Sequence, residues 1–144
     1  MIYVSARADY AVRALLLIAS SAGELSATSI AEIEQVSPAY MARTLVELKR
    51  AGLLVRTKTG YSLARATTTV TIAEVFSAVG ESVMEVNEEK RTGQGRSAAY
   101  LTVRPFWDQM RANVLALLDQ TTVHDLERSR ATLEEAAQQT SPLR

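Results

Sequence analysis

The sequence predicts a mainly α fold carrying one small two-stranded hairpin, and three observations predict it. Apolar residues recur at helical spacing over most of the chain, the period turns strand-like once, between residues 53 and 64, and a long apolar stripe near the C-terminus lacks any local partner. With 144 residues, 47% of them apolar, there is material for one compact domain with a helical appendage. Six Gly and three Pro exclude a low-complexity or collagen-like chain. The longest apolar run, Ala14 to Ala19, is far short of a bilayer span.

Taken in order, Ser5 is placed to cap a helix whose Ala8, Ala11, Val12, Leu15, Leu16 and Ala19 form one stripe of a 3.6-residue period. Leu17 and Ile18 lie off that stripe, so the helix needs cover on a second side, which a second subunit could give; Gly23 ends it. Thr28 or Ser29 can cap a short helix holding Ile30, Ala31 and Ile33. Ser37 caps the next, with Pro38 at the first helical position, where its missing N–H loses nothing. That helix turns Met41, Leu45 and Leu48 inward and stops at Gly52. Leu53 to Thr57 and Tyr61 to Ala64 read as two strands joined by a turn at Lys58, Thr59 and Gly60.

Thr71 and Glu74 form a capping box for a helix with Ile72, Val75, Phe76 and Val79 inside and Gly80 as its stop. Between Glu81 and Ala99 periodicity fades into a loop. A long helix follows, with Val103, Phe106, Trp107, Met110, Val114, Leu117 and Leu118 on a near-heptad seam and Pro105 close to its start. One helix cannot bury such a seam, which predicts a dimerisation surface made of these seven residues together with Leu17 and Ile18. Thr122 and Asp125 cap a last, weaker helix, and the final residues from Gln138 should fray.

Helix, short helix, tight turn, helix and two-stranded wing is the order of a winged helix-turn-helix, whose second short helix enters a DNA major groove. The division expected is 1–82 for that domain, 83–101 for a loop and 102–144 for the dimerisation and C-terminal helices. Net charge is zero overall, yet residues 1–65 hold eight Lys/Arg against five Asp/Glu. Within 43–65 six basic residues face Glu47 alone. A basic surface at one place suits a phosphate-bearing partner, although a solvated charged face has the same composition. Groove geometry selects Ser37, Pro38, Ala39, Tyr40 and Arg43 as the leading turn, with Ala39 small enough for a thymine methyl and Arg43 able to bond guanine bidentately. Arg7, Lys49, Arg50, Arg56 and Lys58 are candidates for phosphates, and Tyr61 completes the set. Ser37 is a cap in any case, Tyr40 could belong partly to the core, and Arg43 is equally placed to pair with Glu47.

The runs SARADYAVRALLLIA, SIAEIEQVSPAYMARTLVELKRAGLL, GYSLARATTTVTIAEVFSAV and YLTVRPFW resemble the Rrf2 family of bacterial transcription regulators, over residues 3 to about 122. The start MIYVSARADYAVRALLLIASS lacks the ordered parts of a secretory signal, so a cytoplasmic location is expected. The resemblance implies a homodimer on partly palindromic double-stranded DNA operators, acting as a repressor, with the long C-terminal helices crossing at the dimer interface. Many members hold an iron–sulfur cluster through three cysteines. The corresponding positions here are Tyr100 and the neighbourhoods of Gln94 and Glu88. The chain has no cysteine and one histidine, His124, so no cluster or other cofactor is expected. The wing, with Arg56 to Thr59 ahead of Gly60, is shorter than the family's, and Gln35 stands where the family often has Gly.

A second reading fits the neutral charge and short wing: a winged-helix module that binds protein, or a sensor with little DNA role. In it, Phe76, Tyr100, Phe106 and Trp107 would line a pocket for a small-molecule effector. An enzyme is the weakest reading and none is expected, because one His, no Cys and no convergent carboxylate motif leave no recognisable acid–base or metal constellation.

Overall fold

Helix α1 (Ala6–Ser20) is the centre of the structure, a computed structural model that describes residues 4–82 and 97–140. Ser5 caps it, its Oγ accepting the Ala8 N–H at 3.1 Å. The buried face is Ala8, Ala11, Ala14, Leu15 and Ile18, whereas Val12, Leu16 and Ala19 of the predicted stripe are only half-buried. The inward face is thus rotated towards the small residues, which let neighbours approach closely. Helices α2 (Ala27–Glu34), α3 (Pro38–Arg50), α4 (Ile72–Ala78) and α6 (Val123–Gln139) and strand β2 (Tyr61–Leu63) all pack on α1. The second cover that Leu17 and Ile18 require therefore comes from the same chain.

Ser26, not Thr28 or Ser29, caps α2, accepting the Ser29 N–H at 3.1 Å, and Ile33 is 55% exposed while Ile30 and Ala31 are buried. Gln35 ends α2 in the left-handed region, φ 55° and ψ 43°. Its Cβ meets a steric cost of about 1–2 kcal/mol there, and glycine would forfeit up to about 1 kcal/mol through the entropy of the unfolded chain. Gln35→Gly is accordingly expected to raise stability by somewhat under 1 kcal/mol, read as a higher urea midpoint with an unchanged denaturant slope.

Ser37 caps α3, accepting the Tyr40 N–H at 3.1 Å, with Pro38 in the first turn. Met41, Leu45 and Leu48 are buried as predicted, joined by Thr44, whose hydroxyl donates to the Tyr40 carbonyl at 3.1 Å. Gly52 and Gly80 follow α3 and α4 with φ 77° and 70°. Strand β1 (Leu54–Arg56) pairs antiparallel with β2, Leu54 opposite Leu63 and Arg56 opposite Tyr61, so the strands are shorter than the apolar pattern suggested. Across the other edge of β2, Leu25 exchanges backbone hydrogen bonds with Tyr61 at 3.0 and 2.8 Å. The wing is thereby stitched to the loop between α1 and α2.

Both capping boxes form, Thr71 with Glu74 and Thr122 with Asp125. The Thr71 N–H, at 3.0 Å, and the Arg65 guanidinium hold the Glu74 carboxyl below the usual range. Helix α5 (Ala98–Gln120) starts inside the segment expected to be loop, which places Pro105 in its eighth position instead of near its start. There it removes the N–H that would bond the Leu101 carbonyl. The Ile72 N–H donates to the Thr121 carbonyl, and the Val123 N–H to the Val70 carbonyl, each at 2.9 Å. These bonds fasten the α5–α6 junction to the foot of α4. No described helix is long and apolar enough to cross a membrane.

Candidate nucleic-acid interface

The first turn of α3 presents Ser37, Pro38 and Ala39 to solvent, with the Arg43 side chain 77% exposed one turn on. This outward turn follows from the sequence: the cap and the proline end the preceding loop, and the inward residues begin only at Met41. Tyr40 is half-buried. Its ring meets Tyr10 edge-on, centroids 5.9 Å apart, and the Arg13 guanidinium lies 5.0 Å from the Tyr10 centroid. Arg13 itself bonds Glu34 at 2.9 Å and Asp9 at 2.7 Å, tying α1 to α2 beneath the turn. Burial raises the Tyr40 phenol above its ordinary value, so its hydroxyl keeps its proton at neutral pH and remains able to donate.

Lys49 and Arg50 at the end of α3, and Arg56 and Lys58 on the wing, are all exposed. Arg56 lies over the Tyr61 ring, 4.9 Å from its centroid, and donates to the Tyr61 hydroxyl at 3.2 Å. Tyr61 is 3% exposed, a core residue, so it does not belong on the interface surface where the sequence set placed it; it supports Arg56 from below. Arg65 is likewise engaged, pairing with Glu74 at 3.1 Å and bonding the Thr69 carbonyl. Arg7 forms a two-point pair with Glu47, Nε to Oε2 at 3.2 Å and Nη2 to Oε1, and Arg43 Nε stands 3.8 Å from the same Oε1.

Two carboxylates at this surface make long-range contacts that the sequence did not show. Glu47 joins α1 to α3 through Arg7. Glu24, in the loop after α1, accepts from the hydroxyls of Thr57 and Thr59 and from the Thr59 N–H at 3.2 Å, gripping the tip of the wing. Those hydrogen bonds, led by the Thr57 hydroxyl, hold the Glu24 carboxyl below its ordinary range. The place of Glu47 four residues after Arg43 was legible, but its bond to Arg7 and those of Glu24 were not, because these partners lie 33 to 40 residues away.

The predicted dimer seam divides. Leu17, Val114 and Leu118 pack on the core of their own chain, and Ile18 is wholly inside it. Val103, Phe106, Trp107 and Leu117 are 43%, 63%, 51% and 64% exposed, and the Phe106 and Trp107 rings meet each other at 5.1 Å. Phe106, Met110, Val114 and Leu117 border one open groove with Gln109 and Asn113. Of the four aromatics expected around an effector, Phe76 lies in the core, whereas Phe106 and Trp107 are more than half exposed.

Of the three positions where the resemblance places cysteine, the neighbourhoods of Glu88 and Gln94 lie outside the described residues. Tyr100 lies in the first turn of α5, its hydroxyl accepting from Arg104 at 2.9 Å. A phenol, an amide and a carboxylate are not the soft thiolates an iron–sulfur cluster takes. Among the described residues no three His, Cys, Asp or Glu side chains gather at one point. The donor set does not fit the group.

A family model described as Rrf2, iron-dependent transcriptional regulator, matches residues 4–129. The chain is 29% identical over 132 residues to the HTH-type transcriptional regulator IscR of Cereibacter sphaeroides, covering 85% of each. It superposes on CymR, the global cysteine regulator of B. subtilis, with a TM-score of 0.73 and 24% identity, over 89% of this chain and 98% of that one. The IscR structure from T. potens gives a TM-score of 0.66 at 24% identity, over 99% and 93%.

Proposed function

We propose, from the premise that this chain belongs to the Rrf2 family of transcriptional regulators, that two copies read a partly palindromic DNA operator and repress by occupying it. Its relatives are regulators, not enzymes, and DNA-binding transcriptional control is the family's activity. The observation that carries the finer reading is the exposed first turn of α3 with Ala39, followed one turn on by Arg43 and flanked by Lys49, Arg50 and Lys58. An α-helix presented end-on with small residues fits the major groove, and cations at its far end and on the wing meet the phosphates to either side.

Each protomer would supply one such helix, and the exposed part of the α5 seam would set the distance between the two. Residues 1–82 supply the reading head in this scheme, and α5 supplies the spacing. The α5–α6 junction fastened to α4 transmits that spacing to the head. The chain functions without a cluster, since it offers no thiolate to hold one.

Selection of bound fragments from a random duplex pool is expected to return a two-fold symmetric consensus with half-sites about one helical turn apart. A consensus without symmetry, or none, overturns the reading. Arg43→Ala is expected to lower discrimination at one base position by about 1–3 kcal/mol with little loss on random DNA. Lys58→Ala should weaken both alike and reduce the salt slope by about 1. Equal losses for the two variants in a competition assay reject these assignments.

A further inference from the structure

Glu47 stands between two cations of the proposed interface, and its position is set by one of them. Arg7, from the first turn of α1, grips the carboxylate at both oxygens, and the Glu47 side chain is only 18% exposed. The Arg43 Nε lies 3.8 Å from Oε1 while the rest of that side chain is in solvent. The arrangement is therefore an anchored anion with a long, exposed guanidinium beside it, in the last turn of a helix whose other charged residues are all cations.

A free guanidinium at a groove binds any phosphate within reach, which raises affinity for all sequences equally. A carboxylate held within 4 Å offers it a competing partner. Single phosphate contacts gain little over that partner, whereas a guanine edge, which accepts two parallel hydrogen bonds, gains more.

We propose that Glu47 is a specificity-determining residue acting through Arg43, holding that cation off random phosphates and releasing it to a bidentate base edge. The proposal rests on the DNA-binding reading above, and its test separates the two. Wild type, Glu47→Gln, Arg43→Met and the double variant are titrated, at several salt concentrations, onto a random-sequence duplex long enough for two half-sites. Glu47→Gln is expected to bind this duplex about two- to fivefold more tightly per protomer, the range of an exposed ion pair. Its salt slope should steepen by about 1 per protomer. In the Arg43→Met background the same substitution should change neither quantity.

An equal gain in both backgrounds means that Glu47 acts as a bare charge, and no gain in either means that it does not restrain Arg43; each result overturns the proposal. The set is repeated in an Arg7→Gln background, where Glu47→Gln frees Arg43 alone and not Arg7 as well, and melting curves verify the fold. Wild type that retains no duplex in dilute buffer overturns the DNA-binding reading itself, a result visible before any variant is made.

Discussion

Phe106→Glu combined with Leu117→Glu is expected to leave the protein a single protomer at micromolar concentration and to weaken operator binding at least about a thousandfold. Both side chains are close to two-thirds exposed, so neither contributes much to the stability of its own chain. Buried between two copies, a Phe or Leu contributes roughly 1.5–3 kcal/mol, and a two-fold axis counts each substitution twice. The pair thus removes on the order of 8 kcal/mol of apolar burial, and four carboxylates then face one another across the seam. Val114 and Leu118 would be the wrong choice for this experiment, because they pack on the core and their loss would unfold the domain instead of separating the copies.

Sedimentation equilibrium reads the mass, and far-ultraviolet circular dichroism should show the helix content of the wild type. A lone protomer still owns one complete half-site surface. Residual binding should therefore persist with about half the salt slope, since half the phosphate contacts remain. A double variant that sediments as a dimer would remove α5 from the assembly and with it the fixed half-site spacing.

The elements were legible because each is written locally. Ser5, Ser37 and the Thr71–Glu74 and Thr122–Asp125 boxes lie within three residues of the N–H groups they satisfy, and the strand period of the wing is equally local. Ser26 was missed for a related reason: three hydroxyl residues, Ser26, Thr28 and Ser29, stand close together at the start of α2, and the buried Ile30 and Ala31 fix which turn comes first. What could not be read is cover. Ile18 looked like a surface residue waiting for a partner chain, because nothing in its neighbourhood announces that α6, more than a hundred residues later, returns to pack on α1. Tyr61 looked like an interface aromatic because a strand residue beside cations gives no sign of which face is inward. The exposed turn at Ser37 to Arg43 and the place of Glu47 four residues after Arg43 were legible, whereas the anchoring of that carboxylate by Arg7 depended on where α1 crosses α3.

Gly60→Ala is expected to lower stability by about 3 kcal/mol and the melting temperature by roughly 10 °C, out of proportion to one added methyl. The sequence marks Gly60 as a turn residue, which would make alanine a mild change. Tertiary placement makes it severe: a Cβ there would lie 2.2 Å from the Leu25 carbonyl oxygen and 2.7 Å from the Ser26 nitrogen. Both are backbone atoms, so no rotamer change relieves the contact, and the chain must move apart. Separation breaks the two Leu25–Tyr61 hydrogen bonds and draws Thr57 and Thr59 away from Glu24. Arg56 and Lys58 lose their placement at the same time, so DNA affinity should fall further than stability alone would dictate when assayed well below the melting temperature. Paired melting and binding titrations of Gly60→Ala and Lys58→Ala check this. Gly60→Ala should lose more affinity than Lys58→Ala, and matching losses with an unshifted melt would mean that the wing tolerates the methyl and is not stitched to the α1–α2 loop in the way described.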